Sequence, residues 1–297
     1  MSAESIEKQD RRSETAATEC VTVMREITSP TNSLIKVFRR SLEQGATREG
    51  WLAVEGPLLL REALSAAGQN GERPRGRCAC FVRAVLVARG AVAKFADLLA
   101  GLPAETEVTS TPDSIFDRVT ATVAPQGIAA LVEVQPPKLE AVLSIEDALL
   151  VVAFGLQDPG NLGTILRSAE SLGADSLITL KSTVSPSNPK ILRASGGALF
   201  RLPVFSSLGA EDFFAQLRAA RIQLVAADSH SGNNIAEADL CGPLAFLIGN
   251  EAAGLSAATS PDVTLAIPLQ PGVDSLNAAV AAGIFLYEAA RQRGFRY

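Results

Sequence analysis

The sequence predicts an α/β protein, with a small α/β layer domain preceding a larger domain built on a mostly parallel sheet. Three observations carry this. Strand-like apolar runs alternate with helical patterns through most of the chain, the order that produces βαβ units. The run ALLVVAFGL is continuous rather than alternating, as a strand covered on both faces must be. Hydrophobic residues make up 47% of the chain but aromatics only 5%, so the core is built from small side chains that suit close helix-on-sheet packing.

Residues 1–24 mix acids and bases without apolar periodicity and read as a solvated tail. They match neither a secretory signal nor a transit peptide, and no apolar run reaches the length of a spanning helix. The expected location is therefore the cytoplasm, with no membrane partner. Residues 25–135 form the first domain. SLIKVFRRSLEQG has amphipathic helical spacing with Lys36, Arg39 and Arg40 on its polar side. WLAVEG reads as a strand and PLLLREALSAAG as a helix, with Pro57 in its first turn and Gly68 as its stop. AVLVARG is a strand, AVAKFADLLAGL a helix and GIAALVEV a strand. The prolines of QPPKLEAVLS mark a linker, placed at 136–147.

The second domain, 148–297, opens with ALLVVAFGL. Strands recur at SLITL, QLVAAD, LAFLIGN and TLAIPL, and helices at NLGTILRSAESLG, AEDFFAQLRAAR and SLNAAVAAGIFLYEAARQR. That alternation implies a mostly parallel sheet with helices on both faces.

Composition excludes several chemistries. Cys20, Cys78, Cys80 and Cys241 form no disulfide framework, and the Cys78/Cys80 pair lacks the further ligands that tetrahedral zinc needs, so no metal is expected. The only histidine, His230, sits in the loop-like SHSGNN, which disfavours a histidine-dependent hydrolase. The net charge of −5 hides an uneven distribution: Arg25 to Gly90 carries eleven Lys and Arg against six Glu. A basic first domain suits contact with phosphates.

Parallel sheets place ligand sites at the carboxyl ends of their strands, which directs attention to three turns. GLQDPGNLGTILRSAESLGAD holds Gly160 and Gly163, with Asn161 as a candidate helix cap and Arg167 six residues later. It has neither the G-x-G-x-x-G spacing nor a phosphate-loop Lys-Ser/Thr pair. LAFLIGNEAAGLS brings Gly249, Asn250 and Glu251 into a sharp turn. IPLQPGVDSLNAAVAAGIFLYEAARQR places an irregular loop before a helix that Asp274 or Ser275 can cap, with Asn277 in the first turn.

In this order and spacing, N-x-G-x-x-x-R, IGNEAAGLS and IPLQPGVDSLNAAVAA resemble the three signature motifs of the SpoU family, the TrmH-type branch of the SPOUT methyltransferases. NPKILRASGGALFRLPV is similar to the family's run between the first two. The resemblance covers Leu149 to the C-terminus. The first domain, through NSLIKVFRRSL, WLAVEG and APQGIAALVE, resembles the ribosomal-protein-like substrate-binding domain often fused in front. Ala278 and Ala279 stand where the family pattern often has Val and Ser.

The resemblance implies a deep C-terminal trefoil knot, a homodimer, and S-adenosylmethionine held largely by backbone groups. It implies transfer of a methyl group to a ribose 2′-hydroxyl of RNA. Gly249, Ile267, Leu269 and Leu276 are the implied cofactor-cleft residues, and Asn161, Arg167, Glu251, Ser275 and Asn277 match the polar active-site positions. Lys36, Arg39, Arg40, Arg193 and Ser195 are candidates for binding RNA. A guanidinium holds its proton in proteins, so Arg167 suits electrostatic stabilisation or phosphate binding, with base catalysis left open. Large-subunit ribosomal RNA is the expected substrate. Transfer RNA, a non-catalytic RNA-binding or ribosome-assembly role, and a nucleotide-dependent dehydrogenase are the alternatives.

Overall fold

The computed structural model describes residues 24–68, 76–120, 122, 124–249 and 261–295. The chain forms two compact units, Met1–Gln69 with Cys80–Val134, and Asn70–Ala79 with Gln135–Tyr297. The first is not one continuous stretch: the segment before Cys80 joins the second unit, where the Cys78 N–H donates to the Arg201 carbonyl at 3.1 Å.

The first unit is a five-stranded sheet of order β1-β4-β3-β5-β2, with β1 Arg25–Glu26, β2 Leu52–Glu55, β3 Ala79–Ala88, β4 Glu107–Thr111 and β5 Ile128–Gln135. Helices α1 Ser33–Gln44, α2 Pro57–Gly68, α3 Ala96–Ala100 and α4 Asp113–Val119 accompany it. In α1 the Asn32 side chain accepts the Leu34 N–H, and Gly45 ends the helix in the left-handed conformation. Ile35, Phe38 and Leu42 of α1 are buried with Phe116 and Leu131, while Lys36, Arg39 and Arg40 face solvent. The continuous helix expected from AVAKFADLLAGL is broken: two 3₁₀ turns precede the short α3, because the Phe95 backbone (φ −111°, ψ 17°) leaves the helical region. β4 and α4 occupy a stretch with no expected element. The centre of β4 is polar in sequence yet buried, and Thr111 Oγ1 donates to the Ile27 carbonyl at 2.8 Å.

The second unit holds a six-stranded sheet of order β11-β9-β10-β6-β7-β8. The strands are β6 Leu149–Phe154, β7 Ser176–Leu180, β8 Val204–Leu208, β9 Gln223–Ala227, β10 Leu244–Gly249 and β11 Val263–Leu265. Every neighbouring pair is parallel, as expected. The helices are α5 Leu139–Leu143, α6 Pro159–Ser171, α7 Pro189–Ala194, α8 Ala210–Ala219 and α9 Ala278–Gln292. α5 lies inside the expected linker, and its Val142 and Leu143 belong to the core with Leu150, Val152, Ile178 and Phe214. That segment is therefore an integral part of the second unit.

β6 sits centrally, with β7 and β8 following on one side and β10, β9 and β11 on the other. β6 and β10 are neighbours at this reversal of strand order, the place where open parallel sheets form a crevice at the carboxyl ends of their strands. α9 closes one wall. Its Ala279, Ala282, Phe285, Leu286, Ala289 and Ala290 are buried, and the Phe285 ring meets Phe246 of β10 edge-on at 5.2 Å. Beyond the end of α9, Arg293 donates to the carbonyls of Leu240, Asp147 and Gly242 at 2.9, 2.6 and 2.5 Å. Among the described residues no helix is long and apolar enough to cross a membrane.

Candidate active site

The crevice is a pocket of about 480 Å³, within the range of small-molecule sites. Leu156 to Asp158 and Asn161 line it after β6, Ala227 to Ser229 at and just beyond the end of β9, and Ile248 and Gly249 at the end of β10. Leu265, Ile267 and Leu269 add an apolar wall, and Ser275 to Ala278, Ala281 and Phe285 complete it from α9 and its approach. Seven candidate residues thus meet in one cavity: Asn161, Gly249, Ile267, Leu269, Ser275, Leu276 and Asn277. No described lining residue carries a positive charge.

Both helix caps differ from the expected ones. Asp158 caps α6, its carboxylate accepting the Asn161 N–H at 2.9 Å, with Pro159 at the first helical position. Asn161 lies inside the first turn, so its side chain is not used for capping. At α9 the cap is Asn277, neither Asp274 nor Ser275, and Asn277 precedes the first turn. Its Oδ1 accepts the N–H groups of Ala279 and Val280 at 2.9 and 3.3 Å. That leaves Nδ2 to donate to Asn161 Oδ1 at 3.0 Å. Each asparagine is oriented by these bonds, so Asn161 keeps its own N–H donors for a ligand.

Arg167 does not line the pocket. It lies two turns along α6 on the exposed face, and helical side chains lean towards the N-terminus, the pocket end. Gly196 (φ 58°) backs it: an added Cβ there would lie 3.7 Å from the guanidinium carbon. Arg193 is exposed on α7, next to this segment. Ser195 corrects the sequence reading. It is 1% exposed and its hydroxyl donates to the Leu192 carbonyl at 3.1 Å, so it serves the end of α7 and presents nothing to a phosphate. Glu251 lies outside the described residues, and Lys36, Arg39 and Arg40 belong to the first unit.

Sequence reasoning missed Asp158, Asp228 and Ser229. Proline at the first helical position marks the residue before it as the cap, a signal available for Asp158. Asp228 and Ser229 had only their place at the end of an apolar run.

Comparison with known proteins identifies the setting. Residues 148–287 match the model of the SpoU rRNA methylase family. The chain is 39% identical over 194 residues to a 23S rRNA (uridine(2479)-2′-O)-methyltransferase of Streptomyces viridochromogenes, covering 63% of this chain and 68% of that one. It is 30% identical over 267 residues to a 23S rRNA (guanosine(2553)-2′-O)-methyltransferase of Bacillus subtilis, covering 89% and 98%. Among solved structures, the SpoU methyltransferase AviRb of Streptomyces viridochromogenes, in complex with the cofactor AdoMet, is 31% identical. It superposes with a TM-score of 0.72 over 88% of this chain and 98% of that one. Sequence and fold agree along nearly the full length, and the chain belongs to the SpoU rRNA methylase family.

Proposed function

We propose that this protein is an S-adenosylmethionine-dependent RNA methyltransferase acting on a ribose 2′-hydroxyl of large-subunit ribosomal RNA. The observation that carries the reading is the pocket at the strand-order reversal, where the asparagines of the first and third signature motifs are hydrogen-bonded to each other. The relatives named above methylate a uridine and a guanosine of 23S rRNA. That difference leaves the base, but not the reaction, to be found.

The residues present fit the cofactor. Ile267, Leu269 and Leu276 offer apolar surface to a purine, Ile248 and Gly249 offer backbone groups, and the lining carboxylates suit a ligand rich in donors and bearing a sulfonium. When bound, S-adenosylmethionine supplies an electrophilic methyl group. Asn161 and Asn277 hold the polar wall beside it and orient the ribose. Arg167, with no acidic partner among the described residues, faces the incoming RNA and stabilises the negative charge that develops on the 2′-oxygen as its proton leaves. Arg193 binds a neighbouring phosphate. Ser275 adds a hydroxyl to the pocket wall.

Lys36, Arg39 and Arg40 place the RNA through its phosphates. A homodimer is supported by the one face of α9 that its own unit leaves uncovered: Val280, Ile284 and Tyr287, at helical spacing, are 52%, 36% and 52% exposed. Sedimentation of Ile284→Asp as a monomer, against a dimeric wild type, tests this. The trefoil knot is carried over from the family resemblance. Beyond β11, Ile267 and Leu269 line the same pocket as the ends of β9 and β10, and α9 packs against α6, a course compatible with the knot that the family resemblance implies.

The deciding experiment maps 2′-O-methylation in ribosomal RNA from cells with and without the gene. One lost site, restored by the wild type and not by Arg167→Ala, is expected. An unchanged methylation pattern, or restoration by Arg167→Ala, would overturn the reading.

A further inference from the structure

We infer that Asp228 is the residue that recognises the sugar of the cofactor, its carboxylate accepting hydrogen bonds from the vicinal hydroxyls of the ribose. This rests on the assignment of the pocket to S-adenosylmethionine. The lining holds two carboxylates, Asp158 and Asp228. Asp158 Oδ2 is committed to capping α6. Asp228 is likewise held by one oxygen, and only its position sets it apart: the His230 N–H donates to its Oδ1 at 2.9 Å, and His230 Nδ1 lies 3.6 Å from the same oxygen. Among the described residues nothing engages Oδ2. The side chain is thus fixed on one side and free on the other, where an ionised carboxylate can only accept.

Position selects which donor it meets. Asp228 follows β9, and β10 separates β9 from β6, so Asp228 stands about 10 Å across the sheet from the strand leading to Asn161. The methyl group must point to the Asn161–Asn277 side, where the RNA arrives. The apolar residues Ile267, Leu269 and Leu276 take the purine. The sugar joins these two parts, and its paired hydroxyls match an acceptor-only group with a free oxygen. The same pairing of a carboxylate at a strand end with a ribose diol recurs in dinucleotide-binding α/β folds.

The test is calorimetric binding to the full chain, without RNA or turnover. Probes are S-adenosylhomocysteine, its 2′-deoxy and 3′-deoxy analogues, and S-inosylhomocysteine. Wild type should prefer the intact ribose by about tenfold or more, the value of a hydrogen bond to a charged group. Asp228→Ala should lose a similar factor for S-adenosylhomocysteine and discriminate poorly between the ribose forms. Asp228→Asn keeps an acceptor for the His230 N–H, so the loop stays intact, and its preference should still fall at least about threefold. A folded variant with undiminished ribose preference overturns the inference, as does a loss that tracks the adenine amino group in S-inosylhomocysteine. Ala281→Phe, which fills the pocket, separates the two levels. If that variant binds S-adenosylhomocysteine like wild type, the pocket assignment itself fails.

Discussion

Gly163 offers the sharpest quantitative test of how helix packing supports the chemistry. It sits in α6 where α7 crosses, and a methyl group added there would lie 2.6 Å from Ala194 Cβ, 3.2 Å from the Ile191 carbonyl oxygen and 3.3 Å from Ile191 Cα. Carbon atoms rest at about 3.5–4.0 Å, so Gly163→Ala must push α7 back by roughly 1 Å. Two of the three neighbouring atoms are backbone, which no rotamer change relieves. Overpacking of this kind costs about 1–3 kcal/mol, and Ala returns about 1 kcal/mol of helix propensity. The net loss is roughly 0–2 kcal/mol, or at most about 8 °C in Tm for a unit of this size. Activity should suffer more. α7 leads directly into Gly196, which backs Arg167, and a displacement of about 1 Å at a reacting group can lower turnover about a hundredfold. Affinity for S-adenosylhomocysteine should hold within about twofold, because α7 does not line the pocket. Adding Ala194→Gly removes the closest clash and should restore part of kcat. Wild-type kcat in Gly163→Ala would refute the idea that this close approach positions Arg167.

Three further outcomes follow from the geometry. Asn277→Asp keeps the cap acceptor for both N–H groups but cannot donate to Asn161, so thermal stability should stay within about 0.5 kcal/mol while kcat falls about tenfold; Asn277→Ala should lose about 1 kcal/mol as well. Equal kcat in Asn277→Asp and wild type would show the asparagine pair to be incidental. Burial raises the carboxyl of Asp175 above its ordinary 3.8, with Asp147 adding to this and the Leu149 N–H, Arg293 and Arg77 opposing it. The folded state then holds that proton more tightly than the unfolded chain. The associated stability is complete below 3.8 and fades as pH rises through the folded value. Asp175→Asn should therefore gain stability relative to wild type as pH rises from 4 towards neutrality, and a gap in denaturation midpoint that stays constant with pH would contradict this. Reversal of charge at Lys36, Arg39 and Arg40 should reduce the slope of log affinity for RNA against log salt by about 2–3, at roughly 0.7–0.9 for each phosphate no longer neutralised; an unchanged slope would remove α1 from the RNA surface.

Much of the second unit was legible because burial on both faces writes itself as an uninterrupted apolar run, as in β6, β7 and β10. β8 escaped notice because it is the edge strand: Ser206 and Ser207 face solvent and dilute the pattern. β4 was hidden for the opposite reason, since Thr109 and Thr111 are fully buried but polar. α7 is six residues long, too short for periodicity to show. At the site, residue types and motif order pointed to Asn161, Gly249, Leu276 and Asn277. The meeting of Asp228 with Gly249 depends on β9 pairing with β10, and strand order is not written in local sequence. Cap identity failed at both helices because several polar residues compete within a few positions, and backbone geometry chooses among them.

The two anchors of α9 also bear on how the protein comes apart. Asn277 binds Asn161, 116 positions earlier, and Arg293 binds Asp147, 146 positions earlier. Bonds spanning such distances can close only after most of the chain has collapsed, because loop entropy must be met before they form. They should contribute little to the folding transition state and much to the barrier against escape from the native state. α9 thereby acts as a kinetic clasp, and its loosening should be read in the unfolding rate and in resistance to proteases under cleavage-limited conditions. A protein whose pocket has α9 as one wall keeps that wall through slow unfolding as much as through equilibrium stability.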